Sequence, residues 1–96
     1  MKKLTQDDAK HAPFWARSMA VDKNGIGFYH SIEKDKLKTD GDQWWPKNRF
    51  DHSNYICGVM TGEKKTGNYF HAIEFDATDW QNSAIDIDVI QPTVMR

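Results

Sequence analysis

No pair of cysteines is available to this chain: Cys57 stands alone among 96 residues, so no internal disulfide braces the fold. A reducing cytoplasm suits such a sequence. Long apolar runs are also missing, and the polar stretch from Thr5 to Asp8 follows directly on Met1-Lys2-Lys3-Leu4. A membrane span and a secretory leader are therefore both unexpected. Charge of one sign is scarce as well. A formal net charge of −1 removes the simplest argument for a general nucleic-acid or membrane-surface binder. The balance is local, however: residues 1–71 carry twelve Lys/Arg against nine Asp/Glu, whereas 72–96 carry one Arg against five carboxylates. With only three prolines and six glycines, the punctuation between elements is sparse and each instance is informative.

What the chain does have is aromatic residues and a repeat. Four Trp, five Phe and three Tyr are many for so polar a domain, and some are expected at the surface, as at an interface. Phe28-Tyr29-His30-Ser31-Ile32-Glu33 recurs as Tyr69-Phe70-His71-Ala72-Ile73-Glu74, each copy after a basic, glycine-containing turn. The expected fold is a single α+β domain over 1–96. It is a small twisted antiparallel sheet of four or five strands, built from two similar β-hairpins at 14–33 and 55–75, with short flanking helices.

The first hairpin rests on alternation along Trp15, Met19 and Val21, on Ile26, Phe28, His30 and Ile32, and on Asn24-Gly25 as a tight primed turn. Thr5 with Asp8 reads as a capped start to a helix that Pro13 limits to one or two turns. Residues 34–54 read as a polar connector, with a turn at Thr39-Asp40-Gly41-Asp42 and room for a short strand near Leu37. Thr78 and Gln81 have capping-box spacing and predict a short helix over 78–84. An acidic segment over 85–96 begins with the alternating Ile85-Asp86-Ile87-Asp88-Val89-Ile90, which reads as an edge strand able to pair with a symmetry mate in a homodimer.

No phosphate loop, nucleophile elbow or zinc-knuckle spacing is present, and no catalytic residue, metal ligand set or cofactor is assigned. His30 and His71 each precede a glutamate by three residues, but i and i+3 point to opposite faces of a strand. Cys57 with a nearby His would make a nucleophile and base, although a cysteine in Tyr-Ile-Cys-Gly-Val-Met more often serves as a small apolar side chain. Trp44, Trp45 and Arg49 are the partner-binding candidates, set against a reading of the Trp pair as a lid over one end of the sheet. Glu74, Asp76 and Asp79 would complement a basic partner. For nucleic acid, Lys23, Lys64 and Lys65 on two turns with Tyr29 and Phe70 on strands form a basic and aromatic pattern.

Ala12-Pro13-Phe14-Trp15-Ala16, then Asp22-Lys23-Asn24-Gly25, the central tryptophans and Asp79-Trp80-Gln81-Asn82-Ser83 resemble the small accessory proteins of tailed bacteriophages. The resemblance implies a phage or prophage product in the host bacterial cytoplasm. It would be non-enzymatic and bind a host or defence protein, in host takeover or counter-defence. A small nucleic-acid-binding module and a metal-dependent or cysteine hydrolase are the alternatives.

Overall fold

The computed structural model describes residues 2–61 and 73–88, apart from the side chains of Arg49 and Asp51. Its strands and helix are β1 (Ser18–Val21), β2 (Gly27–His30), β3 (Leu37–Asp40), β4 (Gln43–Pro46), α1 (Arg49–His52), β5 (Cys57–Val59) and β6 (Ile85–Asp86). One antiparallel sheet has the order β5-β2-β1-β6, and β3 with β4 forms a separate two-stranded sheet. Single 3-10 segments at Gln6–His11, Lys34–Lys36 and Trp80–Asn82 flank them. The expected small α+β fold with antiparallel sheets is what the chain adopts. No helix among the described residues is long and apolar enough to cross a membrane.

The first hairpin forms, with Met19 opposite Tyr29 and Val21 opposite Gly27. Its turn is not the two-residue primed type expected from Asn-Gly. Gly25 alone takes a positive φ, +86°, while Gly25 N–H donates to Asp22 O at 2.9 Å and Asp22 N–H to Ile26 O at 3.0 Å. This is a three-residue loop closed by a left-handed glycine. Asn24 contributes through its side chain instead, accepting from Ile26 N–H at 3.0 Å.

The 34–54 segment departs furthest from expectation. It is largely a hairpin, with Leu37 opposite Pro46 and Asp40 opposite Gln43 across a Gly41-Asp42 turn in which Gly41 has φ +64°. A glycine in the first central position is the requirement of a II′ turn. Leu37, Thr39, Trp44 and Pro46 lie toward the protein and Lys38, Asp40, Gln43 and Trp45 toward solvent, the period of two that strands impose.

Pairing register divides the large sheet into two faces. On one, Met19, Val21, Tyr29 and Met60 pack with Phe75 beneath Leu4, Ala9, Ala12, Trp15 and Ile85. Gly27 is required there: a Cβ would come within 2.6 Å of Phe75 Cε2 and 2.8 Å of Met60 Sδ. The opposite face carries Ser18, Ala20, Asp22, Phe28 and His30, and the β3–β4 hairpin reaches it through Trp44.

The helix expected over 78–84 is reduced to the 3-10 turn Trp80–Asn82. Thr78 does not cap it; both its N–H (3.0 Å) and its hydroxyl (2.6 Å) donate to Asp76 Oδ1, so the hydroxyl is spent on an Asx turn. The edge strand appears as β6, antiparallel to β1. Its outer edge is occupied by a side chain: Gln6 Nε2 donates to Asp86 O at 2.5 Å and Gln6 Oε1 accepts from Asp88 N–H at 3.1 Å. Those two groups are therefore not open to the symmetric strand pairing considered above. In the second expected hairpin, β5 pairs with β2 and Ile73 N–H donates to Met60 O, but its turn and the 69–72 part of the repeat lie outside the described residues.

Candidate functional site

Two adjacent tryptophans have opposite placements. Trp44 is half-buried and pins the small hairpin to the large sheet. Its Nε1–H lies 2.9 Å from Val21 O and 3.3 Å from Trp80 O, and its backbone N–H donates to Asp22 Oδ1 at 3.2 Å. Trp45, 39% exposed, points outward and stacks on His52 with ring centroids 6.4 Å apart and planes 15° apart. Asn48 Oδ1 accepts from Phe50 N–H at 3.0 Å and so starts α1, whose Phe50 is 80% exposed. Arg49 opens that helix, but its side chain is outside the described part.

The acidic candidates sit elsewhere. Glu74 is exposed and bridges to Ile26, Asp76 pairs with Lys3 at 3.7 Å, and Asp79 accepts from Asn82 Nδ2 at 2.8 Å. Hydrogen bonds from Thr78 hold the Asp76 carboxyl below the usual carboxylate range. Asp76 and Asp79 line a 190 Å³ cleft with Lys3, Asn82 and Ser83. That cleft is distinct from the Trp45 surface.

The nucleic-acid pattern loses members in the fold. Tyr29 is 8% exposed, packed in the core, and its hydroxyl donates to Asp8 O at 2.9 Å, so its ring offers no face for a base. Lys23 pairs with Asp42 at 3.7 Å. Lys64, Lys65 and Phe70 lie outside the described residues.

Between the hairpin and β2 lies the arrangement that sequence reading missed. A recess of 80 Å³ has aromatic walls from Phe28, Trp44, Trp45 and Tyr55, with Asp22 and Cys57 also lining it. Asp22 is 5% exposed, and burial pushes its carboxyl up to about 6 against the opposing hydrogen bond from Trp44. Beside the recess Tyr55 stacks on His30, and its hydroxyl shares a 2.5 Å hydrogen bond with His30 Nδ1. His30, 2% exposed, has no partner for Nε2 among the described residues. Burial lowers its pKa to about 4, so the ring is neutral at pH 7. Burial, with Cys57 and Asp22 nearby, raises the Tyr55 hydroxyl.

His30 and Cys57 are cross-strand partners in the β2–β5 ladder. The nucleophile and base considered from sequence are thus brought together, yet Nδ1 of His30 is committed to Tyr55. Among the described residues no group of three or more His, Cys, Asp or Glu is placed to hold a metal ion. Alternation could have separated Trp44 from Trp45; nothing local could have joined Asp22 to Tyr55, which are set side by side only by strand pairing. No protein-family model, curated protein or solved structure matches the chain.

Proposed function

We propose that the protein acts by stoichiometric binding to a protein partner, through the outward surface of β4 and α1. In keeping with the resemblance to phage accessory proteins, the partner is a bacterial host or defence protein whose activity is modulated by occupation of its surface. The observation that carries this reading is the pairing of opposite roles in Trp44 and Trp45. Three contacts from Trp44 fix the hairpin on the sheet, so Trp45 and Phe50 are presented on a supported frame. Large exposed aromatic side chains held at low entropic cost are the anchors that dominate protein interfaces.

Affinity capture from bacterial lysate with nuclease present tests the reading. The wild-type chain is expected to retain one stoichiometric protein, and the Trp45→Ser/Phe50→Ser double variant to lose it while keeping its fold. Recovery of nuclease-sensitive material alone would refute protein docking and favour a nucleic-acid module.

A further inference from the structure

The recess beside Trp45 joins a buried carboxylate to a wall of rings. Asp22 receives a single backbone N–H, at 3.2 Å, although an ionised carboxylate accepts about four hydrogen bonds. The neighbouring Lys23 is turned to Asp42. No Lys or Arg among the described residues pairs with Asp22. Phe28, Trp44, Trp45 and Tyr55 line the space next to it. Aromatic faces attract cations, and a guanidinium both stacks on such faces and pairs with carboxylate in a fork geometry. At about 30 Å³ per water, 80 Å³ accommodates a head group of a few heavy atoms and not a whole ligand.

We propose that this recess receives the cationic head group of a basic side chain, arginine above all, presented by the protein partner, with Asp22 as its counter-ion. The inference rests on the docking reading above, because Trp45 belongs both to the exposed surface and to the recess wall. It adds a chemical requirement: the partner must project an Arg or Lys toward β4. A bound cation also supplies the charge that Asp22 lacks when empty, so binding and ionisation of Asp22 reinforce one another.

The test is a nitrogen-15 NMR titration of the whole chain with methylguanidinium at pH 7.5. Saturable shifts are expected at the indole N–H groups of Trp44 and Trp45 and at Tyr55 and Cys57. Asp22→Asn keeps a carbonyl acceptor for Trp44 N–H, so the fold is preserved while the charge is gone, and binding should weaken at least tenfold. Binding should also weaken at pH 5, where Asp22 is protonated. The other titratable groups around the recess are Tyr55 with His30 behind it, Cys57, His52 stacked on Trp45, and the Lys23 and Asp42 pair at the two turns, so the effect of Asp22 is read as the part of the pH dependence that Asp22→Asn abolishes. Absent shifts, or equal shifts in Asp22→Asn, overturn the proposal. Lysate capture separates it from the docking reading. Loss of the partner by Phe50→Ser with full retention by Asp22→Asn leaves docking standing and overturns the cation site, and loss by both supports the two together. Methylguanidinium binding with no partner captured by the wild type would overturn the partner side chain as the source and leave a site for free small cations.

Discussion

Replacing Trp44 by Phe keeps most of the ring and removes its N–H, whereas the same change at Trp45 removes nothing that the fold uses. At Trp44 the 2.9 Å bond to Val21 O and the longer 3.3 Å contact to Trp80 O are lost. Neither carbonyl is orphaned: Trp80 O keeps the Ser83 N–H at 3.1 Å, which leaves the single proton of the Ser83 hydroxyl free to turn to Val21 O, 3.2 Å away. The penalty for a stranded buried carbonyl is thereby avoided, and the loss is about 1 kcal/mol for the bonds. Reduced apolar burial adds up to about 1 kcal/mol. Trp44→Phe should therefore cost about 1–2 kcal/mol and lower Tm by several degrees in a chain of this size. Trp45→Phe, on the solvent side, should stay within about 0.5 kcal/mol. Urea unfolding of both variants, followed by far-ultraviolet circular dichroism, measures the difference. Equal costs at the two positions, or a larger cost at Trp45, would refute the assignment of Trp44 to the frame and Trp45 to the surface.

Gly27→Ala drives a methyl group into Phe75 and Met60, both fully buried, and should destabilise by about 1–3 kcal/mol in the same urea assay. Asp22 and His30 oppose each other in acid. Asp22, raised from 3.8 to about 6, binds a proton more readily folded than unfolded, so its contribution to stability increases as pH falls from about 6 to 4. His30, lowered from 6.5 to about 4, binds a proton less readily when folded, so its contribution decreases over nearly the same window. Wild-type Tm should thus be nearly flat from pH 6.5 to 4. Asp22→Asn should be the more stable protein at pH 7 and should fall with acidification; a parallel pair of curves would contradict the burial of Asp22. Gln6→Ala exposes Asp86 O and Asp88 N–H, and sedimentation velocity should show concentration-dependent self-association absent from the wild type.

Much of the frame was legible because its signals are local. Alternation on both sides of Asn24-Gly25 located the first hairpin, although the turn type was misread: a left-handed glycine preceded by an Asx contact satisfies the same dipeptide as a primed turn. The second hairpin, β3–β4, was hidden by composition. Its inward positions, Leu37, Thr39, Trp44 and Pro46, keep the period of two, but Lys38, Asp40 and Gln43 face water and make the stretch resemble a connector. Site residues were harder still. Asp22 read as a turn residue and His30 as a sheet residue, and only pairing of β2 with β5 sets His30 against Cys57 and brings Tyr55 to its ring. Register over that separation has no signature in one sequence.

The glutamine clasp on β6 bears on the order in which this chain can fold. Gln6 meets residues 80 and 82 positions away, and Lys2 O accepts from Asp76 N–H at 2.7 Å, so the beginning of the described chain is stitched to its last strand. Contacts of such sequence separation carry a large loop-closure entropy and form late. During synthesis the β1–β2 hairpin can assemble while its outer edge awaits Ile85 and Asp86, which leave the ribosome last among the described strands. Met19 and Val21 stay incompletely covered until then, and the core they belong to closes only when Ile85 and Ile87 pack against it.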